Sequence, residues 1–314
     1  MSAVLRTIRG DVPAASLGTI LPHEHLFVDL RGPQASGYAA AEPETVWRLM
    51  APYLEAAADA GVTALVDCGT VGVGRNVMVL AHLAARTPVH IVAPTGVYRE
   101  AYIPETLSAL SAEALADLWV RELTEGMEGT QARAGFIKIA LSDDGPTPLE
   151  ERSLRAAAIA SRQTGAVVAS HTIGGVAARR EMDIPESAGL NLERFIWVHA
   201  HTEPDLTVHL AAARRGAWVE FDAIGATSWF PEQSRLVDFT VALLEAGFGD
   251  RVLLSHDAGW YDPAEPDGRP PEGVRGYTAL FEAFVPALRA RGADDATVVQ
   301  LTAANPARAF ALER

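Results

Sequence analysis

The chain has 314 residues, of which 49% are hydrophobic and 21% charged; this is the balance of an ordinary folded protein and excludes a disordered or fibrous chain. Its 26 basic and 40 acidic residues give a formal net charge of −14 without a basic stripe, so we expect neither a nucleic-acid nor a membrane partner. A single cysteine, Cys68, excludes an internal disulfide and a multi-thiolate zinc site. Because no apolar run reaches signal-peptide or bilayer-spanning length, we expect a cytoplasmic protein.

Short apolar runs alternate with helical patterns along the whole chain. The eight candidate strands are Thr19–Asp29, Val62–Cys68, Val89–Val97, Gly135–Leu141, Ala166–His171, Arg194–His199, Ala217–Asp222 and Arg251–Asp257. Helical spacing of apolar residues is found in Glu42–Ala60, Asn76–Ala85, Ser111–Gly126, Pro148–Gly165, Asp205–Gly216 and Gln233–Ala246. Apolar strands separated by helices predict an α/β protein with a parallel sheet covered on both faces. Eight such units over this length predict one (β/α)8 TIM barrel domain, residues 1–314, rather than an open doubly wound sheet.

The use of lysine is the most informative feature of the composition. Of the 26 basic residues, 25 are arginine and one is Lys138, which lies inside the apolar run Gly135–Leu141. Since an unpaired charge in a core is costly, a buried amine at this position needs a chemical reason.

Four histidines and one aspartate lie at or near the carboxyl ends of four other predicted strands, the first, fifth, sixth and eighth. His23 and His25 share one face of the first strand, because their spacing is two. The fifth, sixth and eighth strands end at His171, His199 and Asp257. Active sites of barrels are built at these strand ends, so the imidazoles, the carboxylate and Lys138 should converge.

Four imidazoles and a carboxylate suit divalent metal ions of the zinc type, and two ions would use them with a position left open for substrate. A neutral lysine amine can take up CO₂ and form a carbamate, whose two oxygens can bridge two metals. Arginine cannot do this, which would explain the single lysine.

The chain resembles the phosphotriesterase family of the amidohydrolase superfamily, which includes lactonases and aryldialkylphosphatase-related proteins. The motifs that carry the resemblance are Gly18–His25, Ala134–Lys138, Ala169–Thr172, Trp197–His199, Glu220–Asp222, Leu254–Asp257 and Asn305–Arg308. The resemblance implies a binuclear centre of zinc, cobalt or manganese at the carboxyl ends of the strands. In it His23, His25 and Asp257 hold the more buried ion, His171 and His199 hold the other, and N6-carboxylated Lys138 and a hydroxide bridge both.

In the mechanism that the resemblance implies, the hydroxide attacks a carbonyl or phosphorus centre and Asp257 accepts its proton. Pro94–Tyr98 resembles the end of the third strand in the family's lactonases, where the tyrosine lies close to the exposed metal; Tyr98 would then orient the lactone. Those lactonases often carry an arginine after the aspartate of the seventh strand, whereas here Ala223 follows Asp222. We therefore expect a lactonase with promiscuous phosphotriesterase activity, and a primary phosphotriesterase or another ester hydrolase is the alternative. The partner is a small-molecule ester or lactone, and the resemblance makes a homodimer plausible.

Two other classes of protein are compatible with part of this pattern. A Schiff-base lyase acting through Lys138 would explain the lysine but leaves the four histidines unexplained. A catalytically silent binding protein on the same barrel would bind no metal.

The remaining polar residues have plainer interpretations. We expect His82, His90 and His209 to lie at the surface or to pack against other residues. His201 should lie beside the ligands or in solvent, and His256 should point away from the site. Cys68 is expected in the core. Glu24 should accept hydrogen bonds in the interior, and Asp222 should either orient a ligand, shuttle a proton or serve as a structural carboxylate. Val71–Arg75 lacks the third glycine of a dinucleotide-binding motif and is predicted to be a loop. Asp262–Gly276 is predicted to be a long substrate loop, and Trp229, Phe230, Trp260 and Tyr261 to form an apolar pocket wall.

Overall fold

The computed structural model describes residues 3–230 and 232–313. Its strands are β1 (Ala3–Thr7), β2 (Gly10–Pro13), β3 (Thr19–Phe27), β4 (Val62–Asp67), β5 (His90–Val92), β6 (Pro94–Val97), β7 (Phe136–Ala140), β8 (Val168–His171), β9 (Phe195–Val198), β10 (Trp218–Phe221), β11 (Val252–Leu254), β12 (Gly259–Tyr261) and β13 (Leu312–Glu313). Its α-helices are α1 (Pro43–Asp59), α2 (Val77–Ala84), α3 (Glu105–Ser108), α4 (Ala112–Thr124), α5 (Pro148–Thr164), α6 (Gly175–Ser187), α7 (Leu206–Arg214), α8 (Gln233–Glu245), α9 (Val285–Ala290), α10 (Asp295–Val299) and α11 (Asn305–Phe310).

Two parallel sheets form the centre of the molecule. One has the order β11-β10-β9-β8-β7-β6 and the other β12-β3-β4-β5. Four of the helices between strands, α2, α4, α5 and α7, begin after a residue whose side chain caps them. In α5, for example, the Thr147 side chain accepts from the Glu150 amide and Glu150 bonds back to the Thr147 amide, and the helix ends at Gly165 in the left-handed conformation. The predicted α/β architecture with parallel strands is therefore confirmed.

The strands are buried on both faces, as their sequence predicts. Alternate residues such as Ile137, Ile139 and Phe221 belong to a large core cluster that also contains helix residues. The residues between them form a second cluster, which includes Ile20, Val92, Phe136, Ile196 and Leu253. Because side chains alternate along a strand, this second cluster lies on the same strand faces as Lys138 and His171.

Three details of the predicted strands are wrong. The run Val89–Val97 forms two strands, β5 and β6, which are interrupted just before Pro94, a residue with no amide hydrogen to donate. The last predicted strand, Arg251–Asp257, is a strand only over Val252–Leu254. Asp257, three residues further on, has a positive φ of 49° and is not extended. The antiparallel sheet β13-β1-β2 was not predicted, since it pairs the two ends of the chain.

Within the described residues, no helix combines the length and the apolar character needed to cross a membrane.

Candidate metal centre

The seven residues that the sequence nominates for the site all line one pocket, of about 560 Å³ including its opening. They are His23, His25, Tyr98, Lys138, His171, His199 and Asp257. The apolar part of the wall is formed by Val28, Leu30, Cys68, Val73 and Trp260. Cys68 is thus both buried, as expected, and in contact with the pocket.

The first group of facing atoms combines two imidazoles and one carboxylate. Asp257 Oδ1 lies 3.0 Å from His25 Nε2 and 3.4 Å from His23 Nε2. The three residues can offer ligand atoms that all lie within 4.8 Å of one another, which is close enough to surround one cation. A bulge in β3 helps to present them: Leu21 pairs with Leu65 but Glu24 pairs with Asp67, so β3 has one extra residue around Pro22 and His23.

The second group consists of the imidazoles of His171, the last residue of β8, and of His199, the residue after β9. His199 Nε2 and His171 Nδ1 are 2.8 Å apart, and the Tyr98 hydroxyl is 3.3 Å from the same His171 nitrogen. His171 and His199 are thus brought together, as predicted, with Tyr98 beside them.

Lys138 lies in the same pocket and is 2% exposed. Its Nζ is buried and has no hydrogen-bond partner among the described residues. Leaving a buried amine unpaired is costly, so this donor set fits a site in which Lys138 carries a further group and the imidazoles and Asp257 hold cations.

The protonation states suit metal binding. Burial, together with the nearby charge of Lys138, lowers the pKa of His23 to about 3. Burial and the neighbouring His199 and Lys138 hold the pKa of His171 well below its usual range. Burial alone would raise the pKa of Asp257, but the attraction of His23 and the hydrogen bond from His25 lower it. At neutral pH His23 and His171 are therefore neutral imidazoles and Asp257 is an ionised carboxylate, which are the forms that bind metals.

Asp222 lies behind the pocket and is fully buried. Its Oδ1 is 2.8 Å from His199 Nδ1, and its Oδ2 accepts from the His199 amide at 3.0 Å. This contact keeps the hydrogen of His199 on Nδ1 and leaves Nε2 facing the pocket. His23, His199 and Asp222 form a second possible cation group. The Nδ1 atoms of both imidazoles already lie 2.8–3.3 Å from the Asp222 carboxylate, and we therefore interpret this group as support for the ligands.

Glu220 is the buried functional residue that our sequence reasoning missed. Its Oε1 lies 2.7 Å from His23 Nδ1, so it supports that imidazole as Asp222 supports His199. Burial and the adjacent charge of Asp222 raise the pKa of Glu220 well above its usual range. The available signal was the spacing of two between Glu220 and Asp222, which places both side chains on one face of the strand.

Two other histidines near the site, His201 and His256, are buried. His201 Nδ1 lies 3.2 Å from Asp222 Oδ1, and its ring packs against Phe230 at 4.9 Å between centroids. His256 points away from the pocket, as expected, and lies 2.5 Å from Glu24 Oε1. The expected pocket wall is only partly confirmed, because Trp260 lines the pocket whereas Tyr261 stacks on Phe27 in the core.

Two of the seven nominated residues have an unusual backbone. His199 has φ 62° and Asp257 has φ 49°, both in the left-handed region. This conformation costs a non-glycine residue on the order of 1 kcal/mol and is concentrated at functional sites. The turn at each strand end directs the side chain into the pocket.

A parallel α/β protein whose strand ends gather imidazoles, a carboxylate and an unpaired lysine around one pocket belongs to the class of candidate metal-dependent enzymes. The Phosphotriesterase family matches residues 3–310. The chain therefore belongs to the phosphotriesterase family.

Individual relatives agree with this assignment. The phosphotriesterase homology protein of Mycobacterium tuberculosis H37Rv is 32% identical, over 98% of this chain and 97% of its own length. An aryldialkylphosphatase of Saccharolobus solfataricus is 25% identical, over 96% of this chain and 98% of its own. The crystal structure of a PTE-like lactonase mutant of Deinococcus radiodurans is similar with a TM-score of 0.88 and 30% identity, over 98% of this chain and 99% of that one.

Proposed function

We propose that this protein is a binuclear metal-dependent hydrolase that opens lactones and also hydrolyses phosphotriesters. The observation that carries the proposal is the buried Lys138 amine, which lacks a partner among the described residues and shares its pocket with four imidazoles and Asp257. A hydrolase acting on esters or phosphoesters is the general activity that the family suggests.

In this proposal His23, His25 and Asp257 hold one divalent cation, and His171 and His199 hold the second. Lys138 would supply oxygen ligands as a carbamate: the lone pair of its neutral Nζ would attack CO₂, an N–C bond would form, one C=O electron pair would move to oxygen, and the proton released from nitrogen would pass to solvent. Zinc is the preferred metal, with cobalt or manganese as alternatives. When bound, the cations would polarise the scissile oxygen and lower the pKa of a water molecule so that it can attack near neutral pH.

Asp257 and Tyr98 have different tasks in the reaction. Asp257 is the carboxylate that lines the pocket, and its lowered pKa keeps it ionised and able to accept a proton. Burial raises the pKa of Tyr98, so its phenol stays protonated and can donate a hydrogen bond to a substrate oxygen beside His171. Both are catalytic residues in this proposal.

The two parallel sheets would form a single closed (β/α)8 barrel. In support, the second core cluster combines residues of both sheets, and β5 and β6 are separated only by residue 93. At the other junction the Asp257 amide donates to the His23 carbonyl at 3.2 Å. Such a closed barrel would be a single domain over residues 1–314.

The side chains of the pocket wall favour a substrate with an apolar part. Val28, Leu30, Val73 and Trp260 offer apolar contact, which fits the aliphatic part of a lactone, and the Deinococcus neighbour is a PTE-like lactonase. The Saccharolobus relative favours the alternative, a primary phosphotriesterase.

The experiment that tests the class of reaction compares kcat/KM for lactones of different ring and chain length with kcat/KM for an aryl dialkyl phosphate. We expect higher values for lactones. Higher values for the phosphate ester would favour the alternative. No bound metal by elemental analysis, together with no activity after adding zinc, cobalt or manganese with bicarbonate, would refute the hydrolase proposal.

A further inference from the structure

We propose that Arg275 is a positioning residue: it holds the backbone of Asp257 in its left-handed conformation and thereby sets the metal affinity of the pocket. The inference rests on the proposed function, since it takes Asp257 to be a metal ligand. Arg275 lies 18 positions after Asp257 in the sequence, near the end of the long loop Asp262–Gly276, and the fold brings it back to the Asp257 backbone.

The backbone around Asp257 needs support from outside its own strand. Asp257 has a φ of 49° and lies three residues beyond the end of β11. The hydrogen bonds between β11 and its neighbouring strand therefore do not fix its conformation. The Asp257 amide donates to the His23 carbonyl at 3.2 Å, which ties one side of the residue to β3.

Glu24 holds the residues on either side of Asp257. Its Oε1 accepts from the Ser255 hydroxyl at 2.8 Å and from the His256 amide at 3.1 Å, and its Oε2 accepts from the Ala258 amide at 3.1 Å. These bonds use the amides that flank Asp257. They leave the carbonyl groups of the turn to another partner.

Arg275 is that partner. Its Nη2 donates to the His256 carbonyl at 2.8 Å and also to the Asp257 carbonyl. Among the described residues, Arg275 is the donor found for both carbonyls. Glu24 therefore accepts hydrogen bonds from the amides of the turn, and Arg275 donates hydrogen bonds to its carbonyl groups. Within the described part of the chain, Arg275 is the donor to the carbonyl of Asp257 itself.

The position of Arg275 connects this turn with the loops around the pocket. The guanidinium carbon lies 5.6 Å from the centre of the Trp229 ring, in the segment after β10. Two residues further on, the Tyr277 hydroxyl donates to the His25 carbonyl at 2.7 Å. The end of the long loop thus contacts the backbone of two proposed ligands, His25 and Asp257.

If Arg275 is lost, the turn can relax and the Asp257 carboxylate no longer stays opposite His23 and His25. Loss of groups that orient metal ligands commonly weakens metal binding by roughly 10–100-fold. Because Glu24 remains, we expect a decrease of about tenfold in Zn²⁺ affinity for Arg275→Met, near the lower end of that range.

The test measures the affinity of the whole protein for Zn²⁺ by competition with a chromophoric chelator, and the visible absorption of the Co²⁺-loaded protein. The matched control is Arg269→Met: Arg269 lies in the same loop, is 54% exposed and pairs only weakly with Asp267 at 3.7 Å. Urea unfolding of the metal-free proteins separates a general loss of stability from a loss of ligand geometry.

We expect Arg275→Met to weaken Zn²⁺ binding and change the Co²⁺ spectrum, Arg269→Met to do neither, and Arg275→Lys to recover part of the affinity. Wild-type affinity in Arg275→Met, or equal losses in Arg275→Met and Arg269→Met, would overturn the inference and leave the proposed function standing. If Arg275→Met does not fold, wild-type affinity and spectrum in Arg275→Gln would overturn it in the same way. A wild-type protein that binds no Zn²⁺ would refute the proposed function and this inference together.

Discussion

Replacing Lys138 by methionine should make the metal-free protein more stable while it abolishes turnover. The side chain is 2% exposed, and its Nζ has no hydrogen-bond partner among the described residues. Methionine has a similar length and is apolar, so it fills the same space without an amine. We infer that an amine which destabilises the metal-free protein has its function in the metal-loaded protein.

The magnitude follows from the environment of the amine. Burying a polar group without a hydrogen bond costs about 1–3 kcal/mol by mutational measurements. The charge of Lys138 also opposes protonation of His23 and His171, whereas it attracts the buried Glu220 carboxyl. Since the attraction offsets part of the gain, we expect the free energy of unfolding to rise by about 1 kcal/mol for Lys138→Met.

The assay is urea unfolding of chelator-treated protein, followed by fluorescence and by circular dichroism. The control is Ile139→Met on the same strand, which is buried in the core cluster that includes the helices. Such a volume-conserving exchange usually costs less than about 1.5 kcal/mol, and this variant should keep its metals and its activity. A Lys138→Met protein that is less stable than wild type by about 1 kcal/mol or more would show that the amine has a stabilising partner and would contradict this prediction.

Three further outcomes can be checked separately. Lys138→Arg and Asp257→Asn should each remove nearly all turnover at unchanged circular dichroism, and a near-wild-type rate in either would contradict the proposed roles. Burial lowers the pKa of His23 to about 3, whereas a histidine in an unfolded chain has a pKa of about 6.5, so the unfolded chain takes up the proton first. The free energy of unfolding of the metal-free protein should therefore decrease as the pH is lowered from about 6.5 to 3. Urea titrations across this range measure it, and no decrease would contradict the expectation. Burial raises the pKa of Glu181 to about 8, so this carboxyl destabilises the fold as pH rises from about 4.5 to 8. Glu181→Gln should therefore be more stable than wild type at pH 8 but not at pH 4, and equal differences at both pH values would contradict this.

The positions of the site residues could be predicted because they depend on local rules. A spacing of two places His23 and His25 on one strand face, and the strand ends of a parallel α/β protein meet on one side. Lys138 was recognised because it is the only lysine and lies in an apolar run. All of them line the same pocket.

What could not be predicted depends on pairing between distant segments. The contact of Glu220 with His23 spans 197 positions of the sequence and that of Glu24 with Ser255 spans 231. Local patterns carry no information about such pairs. The same limit applies to the small sheet, in which Ala3 pairs with Glu313, and to Tyr261, whose stacking on Phe27 removes it from the pocket wall.

The buried carboxylates explain how the site keeps its strained turns. His199 and Asp257 both follow a strand and have the left-handed conformation. In both cases a carboxylate of a neighbouring strand accepts hydrogen bonds from backbone amides of the turn. Asp222 accepts a hydrogen bond from the amide of His199, and Glu24 accepts hydrogen bonds from the amides of His256 and Ala258. Since charge-assisted bonds of this kind are about twice as strong as neutral ones, each can offset the cost of a left-handed residue. The turn geometry that presents the proposed ligands is thus fixed by residues that do not line the pocket. Glu24→Gln and Asp222→Asn should therefore each weaken Zn²⁺ binding in the chelator competition, and wild-type affinity in both variants would contradict this.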